Sequence, residues 1–197
     1  MDMTTEKQGL RERKKEETRR TLSDVACSLA MERGASQVRV EDIAAAANVS
    51  MRTFNNYFAS KEAAMVGNAY QRSERIAAAL AGRPSGEPLQ ESVRAAVLEG
   101  FAETTDRQWY ARIVLLRDDP ALFGATRKVE IEIERELAKV IAERTHKDVK
   151  LDLYPDLLAS LLMAAIRTAV FHWVSAPSGG QTLNDMLEQA LLRLRFE

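Results

Sequence analysis

The run from Val40 to Val66 reads VEDIAAAANVSMRTFNNYFASKEAAMV, and its punctuation decides the fold. Val40 opens a short helix in which Glu41 and Asp42 occupy the first turn, where negative charge is favoured. Ile43, Ala44 and Ala47 supply its inner face, and Asn48 breaks it. Val49 points back inside, and Ser50 is a good N-cap for a second short helix, Met51 to Phe58. Ser60 caps the next helix, with Glu62 in its first turn. Ala44, Val49, Phe54 and Phe58 are spaced to close a small core. Two short helices across a tight turn make a helix-turn-helix, which presents the second helix to the major groove by its N-terminal end. The outward face of that helix offers Ser50, Met51, Arg52, Asn55 and Asn56. Arginine can hold guanine with two hydrogen bonds, and asparagine can hold adenine the same way. Thr53, Tyr57 and Lys61 stand where hydroxyls, a ring and a cation hold phosphates. Such a pair of helices is also a common corner in helical proteins. What favours DNA is the Arg–Asn–Asn face beside a basic first helix.

Outward from this stretch the chain reads as helix almost throughout, rich in Ala, Leu, Glu and Arg with no long Val/Ile/Thr alternation. The first helix is expected from about Leu10 to Glu32, on a stripe of Leu22, Val25, Ala26, Leu29 and Ala30, with Gly34 ending it. Arg11, Arg13, Lys14 and Lys15 admit two readings: an arm that touches the minor groove or the DNA backbone, or a solvated face paired with Glu12, Glu16 and Glu17. The fourth helix is expected from Lys61 to about Leu80. Gly82, Pro84, Gly86 and Pro88 mark the clearest loop. Further helices follow at about Leu89–Thr104, from Asp106, and from Pro120 to about Arg144, where Asp118 and Asp119 give the start signal. The last two are expected at 154–175 and 182–195. The fold expected is all-α, with about nine helices. Residues 10–60 form a helix-turn-helix DNA-binding domain, and residues 61–197 a ligand-binding and dimerisation domain.

Composition narrows the function. The 197 residues are 46% hydrophobic and 29% charged, with a net charge of −1, the balance of a globular protein. Residues 1–60 carry +1 and the remainder −2, so any attraction to nucleic acid is local, not global. Cys27 is the single cysteine, which excludes an internal disulfide or a cysteine cluster. With two histidines, His146 and His172, no metal site is expected. The two Glu-x-x-His motifs that a di-iron site needs are not present, and neither is a phosphate-binding glycine loop, so neither an enzyme nor a bound cofactor is expected. The polar start has no leader character. The apolar run Leu157–Val174 is interrupted by Ser160, Arg167, Thr168 and His172, so no membrane association is expected and a cytoplasmic location follows.

The run Val40–Val66 resembles the DNA-binding domain of the TetR family of bacterial transcriptional regulators. The matching parts are the hydrophobic–x–x–Ile43–Ala44–x–x–Ala47–x–Val49–Ser50 run, Thr53–Phe54, Tyr57–Phe58 and Ser60–Lys61–Glu62. The close likeness spans roughly residues 15–70. It implies a homodimer that binds a palindromic operator, usually as a repressor, and that a small-molecule inducer releases. It places DNA contacts on Ser50, Met51, Arg52, Thr53, Asn56 and Tyr57, and the family's lysine on Lys61. Asn55 departs from the aromatic residue common two positions after Thr53, and its amide is expected to bond a phosphate or a base edge in place of the ring contact. The alternatives are a transcriptional activator of the same fold and a helical interaction module whose head no longer reads DNA.

Candidates for lining a largely apolar inducer site are Trp109, Tyr110, Ile113, Phe123, Met163, Arg167, Phe171 and His172, on the strength of their bulk alone. Arg167 interrupts an apolar run and needs a partner: Glu99, Glu103, a second subunit or an acidic ligand. The last two helices have wide apolar faces, which a dimeric four-helix interface would cover. Leu158, Leu162, Ile166, Leu183, Leu187 and Leu191 are the residues expected there, although the same spacing suits an ordinary monomer core. Cys27 is expected to be buried and inert.

Overall fold

The computed structural model describes residues 3–102, 107–175 and 180–194. Among the described residues there are nine α-helices, one short 3₁₀ turn and no strand. They are α1 (Met3–Arg33), α2 (Val40–Ala46), α3 (Met51–Asn55), α4 (Lys61–Ala81), α5 (Leu89–Phe101), α6 (Arg107–Asp118), α7 (Pro120–Thr145), α8 (Leu153–Ser175) and α9 (Leu183–Arg193).

The local signals act as expected. Gly34 leaves α1 at φ +83, a left-handed conformation that glycine takes without strain. Ser50 and Ser60 accept hydrogen bonds from the backbone N–H groups of Thr53 and Ala63, and Asp119 does the same for Ala121, with Pro120 in the first turn. Two bounds differ. α1 begins at Met3, about two turns before Leu10, so the basic segment continues the helix and is not a separate arm. α3 ends at Asn55, not Phe58. Asn56 and Tyr57 form a turn that folds Phe58 back, its ring 5.9 Å from that of Phe54. Glu103, the helix start expected at Asp106 and residues 176–179 lie outside the described residues.

The head's core joins Leu22, Ala26 and Ala30 of α1 to Ile43, Ala44, Phe54 and Phe58. Ala64 and Met65 of α4 belong to it, and so does Leu122 from the first turn of α7, fully buried. Burying such a leucine is worth about 2–3 kcal/mol. Ser23 donates to the Ala64 carbonyl at 2.6 Å, and Gly67 gives α4 room against α1: a Cβ there would lie 2.9 Å from Phe58 and from Ser23. The head is therefore wedded to α4.

A second core unites α4, α5, α7, α8 and α9 around Leu80, Val97, Leu137, Leu162 and Leu187. α8 has the length and mean hydropathy of a membrane-crossing helix. Its Leu158, Leu162, Ile166 and Val170 are buried in this core, and 39% of its most apolar stretch is buried inside the molecule. The six residues expected at a dimer face, Leu158, Leu162, Ile166, Leu183, Leu187 and Leu191, are all buried within the one chain. They are corrected to core positions: a side chain already enclosed by its own subunit has no surface to give a second one. The outer side of α8 instead carries Leu153, Leu157 and Leu161 at 76%, 49% and 45% exposure.

Candidate nucleic-acid interface and ligand cavity

The helix-turn-helix turns on Asn48, which takes φ +53, a conformation asparagine tolerates better than most side chains. The Val49 N–H donates to the Ala44 carbonyl at 2.9 Å and closes the turn. Ser50 then caps α3, and its hydroxyl also pairs with that of Thr53 at 2.8 Å. With Phe54 inward, α3 leaves Met51, Arg52, Asn55 and the following Asn56 exposed on one side. Thr53 and Tyr57 are half-buried. Lys15 and Arg19 of α1 share a groove with Asn56 and Tyr57, which brings basic side chains to the C-terminal end of α3.

Lys61 is differently engaged from what the sequence suggests. Its ammonium donates to the carbonyls of Ala35, Ser36 and Val38 at 2.9, 3.1 and 2.8 Å. These three bonds use all three of its protons. Lys61 thus ties the turn before α2 to the start of α4, and a phosphate would have to compete for it.

Between α4, α6, α7 and α8 lies a cavity of about 130 Å³. Ile113, Met163, Arg167 and Phe171 line it, as the sequence suggests. Trp109, Tyr110 and Phe123 do not. Trp109 is buried between the rings of Phe101 and Trp173. The Tyr110 hydroxyl donates to the Val174 carbonyl at 3.0 Å. Phe123 is 73% exposed and borders an outer groove. His172 is exposed on the other side of α8. Bulk selects residues with apolar work to do, without saying whether a neighbouring ring or a cavity takes it up.

Arg167 pairs with Glu130 at 3.0 Å, which also holds Arg127 at 3.1 Å, in place of Glu99. The residues the sequence does not single out are Arg72 and Ser73 of α4 and Thr126 and Glu130 of α7, all on the cavity. The one visible signal for Arg72 is a cation beside the apolar positions Ala69 and Ile76 of the same helix. Cys27 is buried, its thiol 2.9 Å from the Met65 carbonyl, and burial pushes it up to about 11. It is held as the unreactive thiol at neutral pH.

Two family models match. Residues 22–64 match the one for bacterial regulatory proteins of the TetR family, and residues 87–196 match the MftR C-terminal domain. The chain is 33% identical over 198 residues to the HTH-type transcriptional regulator TcmR of Streptomyces glaucescens, covering 96% of this chain and 88% of that one. It is 27% identical over 164 residues to the regulator MftR of Mycobacterium tuberculosis, covering 82% of each. Among solved structures, a TetR-family regulator from Syntrophomonas wolfei superposes with a TM-score of 0.63 at 18% identity, covering 90% of this chain and 93% of that one. FadR of Thermus thermophilus, a TetR-family repressor solved with lauroyl-CoA, superposes with a TM-score of 0.50 at 26% identity, covering 91% and 96%. With both of its halves matched, and a relative at this identity along nearly its whole length, the chain belongs to the TetR family of bacterial transcriptional regulators.

Proposed function

We propose that the protein is a cytoplasmic repressor that binds a palindromic operator as a homodimer and leaves it when a small molecule fills the cavity. The exposed Arg52–Asn55–Asn56 face at the end of a well-capped helix-turn-helix is the observation that carries this reading. Ser50, Met51, Thr53 and Tyr57 are its proposed companions at the DNA. The outer stripe of α8, Leu153, Leu157 and Leu161, is the proposed seat of the second subunit, which sets two α3 helices for two half-sites.

Release needs two arrangements of the heads with different affinities for the operator. Both helices that border the cavity from below also hold the head. α4 carries Val66, Ala69 and Arg72 on the cavity and Ala64 and Met65 in the head's core. α6 carries Ile113 and Leu116 on the cavity, and its Arg112 pairs with Asp24 of α1 at 2.9 Å. A ligand that moves either helix moves α1 and α3 with it. Binding is the proposed activity of the cavity, without chemical change of what it binds.

The test is recovery of genomic fragments by the purified protein, followed by sequencing. A palindromic site beside one operon, with lower transcription of that operon when the protein is present, is the expected result. Recovery with no common site would overturn the operator reading. A site whose occupancy raises transcription would make the protein an activator.

A further inference from the structure

The cavity is walled mainly by aliphatic side chains, among them Ile76, Ile133 and Val170. Two cations, Arg72 and Arg167, interrupt the wall, and Arg72 is left over. Arg72 stacks its guanidinium on Phe101 at 4.5 Å and on Trp109 at 5.2 Å. Its Nε is buried without a hydrogen-bond partner, and among the described residues no carboxylate pairs with it. Glu130, the acid on the same cavity, is already bound to Arg127 and Arg167. The Thr126 hydroxyl of α7, on the same cavity, is likewise buried without a partner. Burial lowers the Arg72 guanidinium to about 10, and the nearby Arg75 and Arg112 push the same way. It still carries its charge at neutral pH.

A part-buried cation without an acid is costly, and the cost is relieved by an anion delivered to it. The Phe101 and Trp109 rings, set edge to face at 88°, flank the guanidinium and offer its N–H edge no hydrogen-bond acceptor. A neutral ligand of the same shape would leave that edge unsatisfied. We propose that the cavity selects an amphipathic carboxylate: a compact apolar body among the aliphatic walls, its carboxylate on the edge of Arg72, with the Thr126 hydroxyl as a second donor. This rests on the reading of the cavity as the effector site, and it names the chemical class of the effector. Arg167 is not the anchor, because Glu130 already neutralises it.

The volume of about 130 Å³ is close to that of cavities that take up a single aromatic ring. Benzoate and benzamide are therefore a matched pair of probes, equal in shape and differing in charge. Their binding to the full-length protein is read by calorimetry and by the quenching of tryptophan fluorescence, since Trp109 lies against Arg72. Benzoate is expected to bind about tenfold or more tightly than benzamide. Arg72→Met should remove that preference, and Arg72→Lys should keep part of it. Equal binding of the two probes to the unmodified protein would overturn the proposal without recourse to any variant. So would binding of neither, or a preference that survives Arg72→Met. Retention of the recovered operator fragment is measured on the same samples. Benzoate preference without DNA release keeps the carboxylate site and discards the effector reading. Equal binding with release does the reverse.

Discussion

Arg52 and Lys61 are both cations of the DNA-binding head, and their surroundings give them different work. Arg52 is exposed on α3, free to meet a base edge. Arg52→Ala should weaken operator binding by about 1–3 kcal/mol and leave binding to unrelated DNA nearly unchanged in a mobility-shift comparison. Equal loss on both DNAs would make it a backbone contact. Lys61 spends its protons on three carbonyls. Lys61→Met should therefore lower the stability of the fold by about 1–3 kcal/mol, read by denaturant unfolding. The salt dependence of DNA binding should keep its slope, whereas a lost phosphate contact would reduce it by about one.

At the scale of elements, the loop between α4 and α5 shows how distant side chains fix a segment that the sequence marks only as irregular. Arg144 of α7 donates to the carbonyls of Leu80, Arg83 and Pro84 and to the Ser92 hydroxyl. Hydrogen bonds from Arg83 in the loop and Ser92 in α5 draw the Glu87 carboxyl down to about 2 from 4.5. A carboxyl lowered in the folded state binds its proton more readily in the unfolded chain. Its contribution is complete above pH 4.5 and is lost as the pH falls toward 2. The melting temperature of the unmodified protein should fall more steeply over that interval than that of Glu87→Gln; parallel curves would show that the bracket does not hold the loop. The same contrast explains what was legible beforehand. Caps such as Ser50, Ser60 and Asp119 act within three residues, so the string displays them. The partners of Lys61, Arg72 and Arg144 come from other helices, and no local pattern names them. The leucines of α8 and α9 fall between these cases. Periodicity identified them as buried, but a helix apolar on most sides does not state which side its own subunit takes.

For the whole molecule, the assignment of faces on α8 becomes a test of assembly. Leu157→Glu together with Leu161→Glu places two charges on the outer stripe and none in the core. The doubly substituted protein should stay helical by circular dichroism and sediment as a monomer, and it should lose most of its operator affinity. An intact dimer would place the subunit contact elsewhere. Leu187→Glu is a control of the opposite kind, because it puts a charge among fully buried side chains and should unfold the protein.

The membership of Leu122 in the same core as side chains of α1, α2 and α3 has a consequence for engineering. Heads in a modular family invite transplantation, with the reading specificity of one regulator grafted onto the sensing half of another. A graft cut between Ser60 and Lys61 would leave behind the plug from α7 and the anchoring lysine of α4. The recipient's own residue at the Leu122 position would then have to fill a foreign socket, and an empty one costs about 2–5 kcal/mol. Successful chimeras should be those that carry the first turns of α4 and α7 along with the head, so the portable unit is discontinuous in sequence.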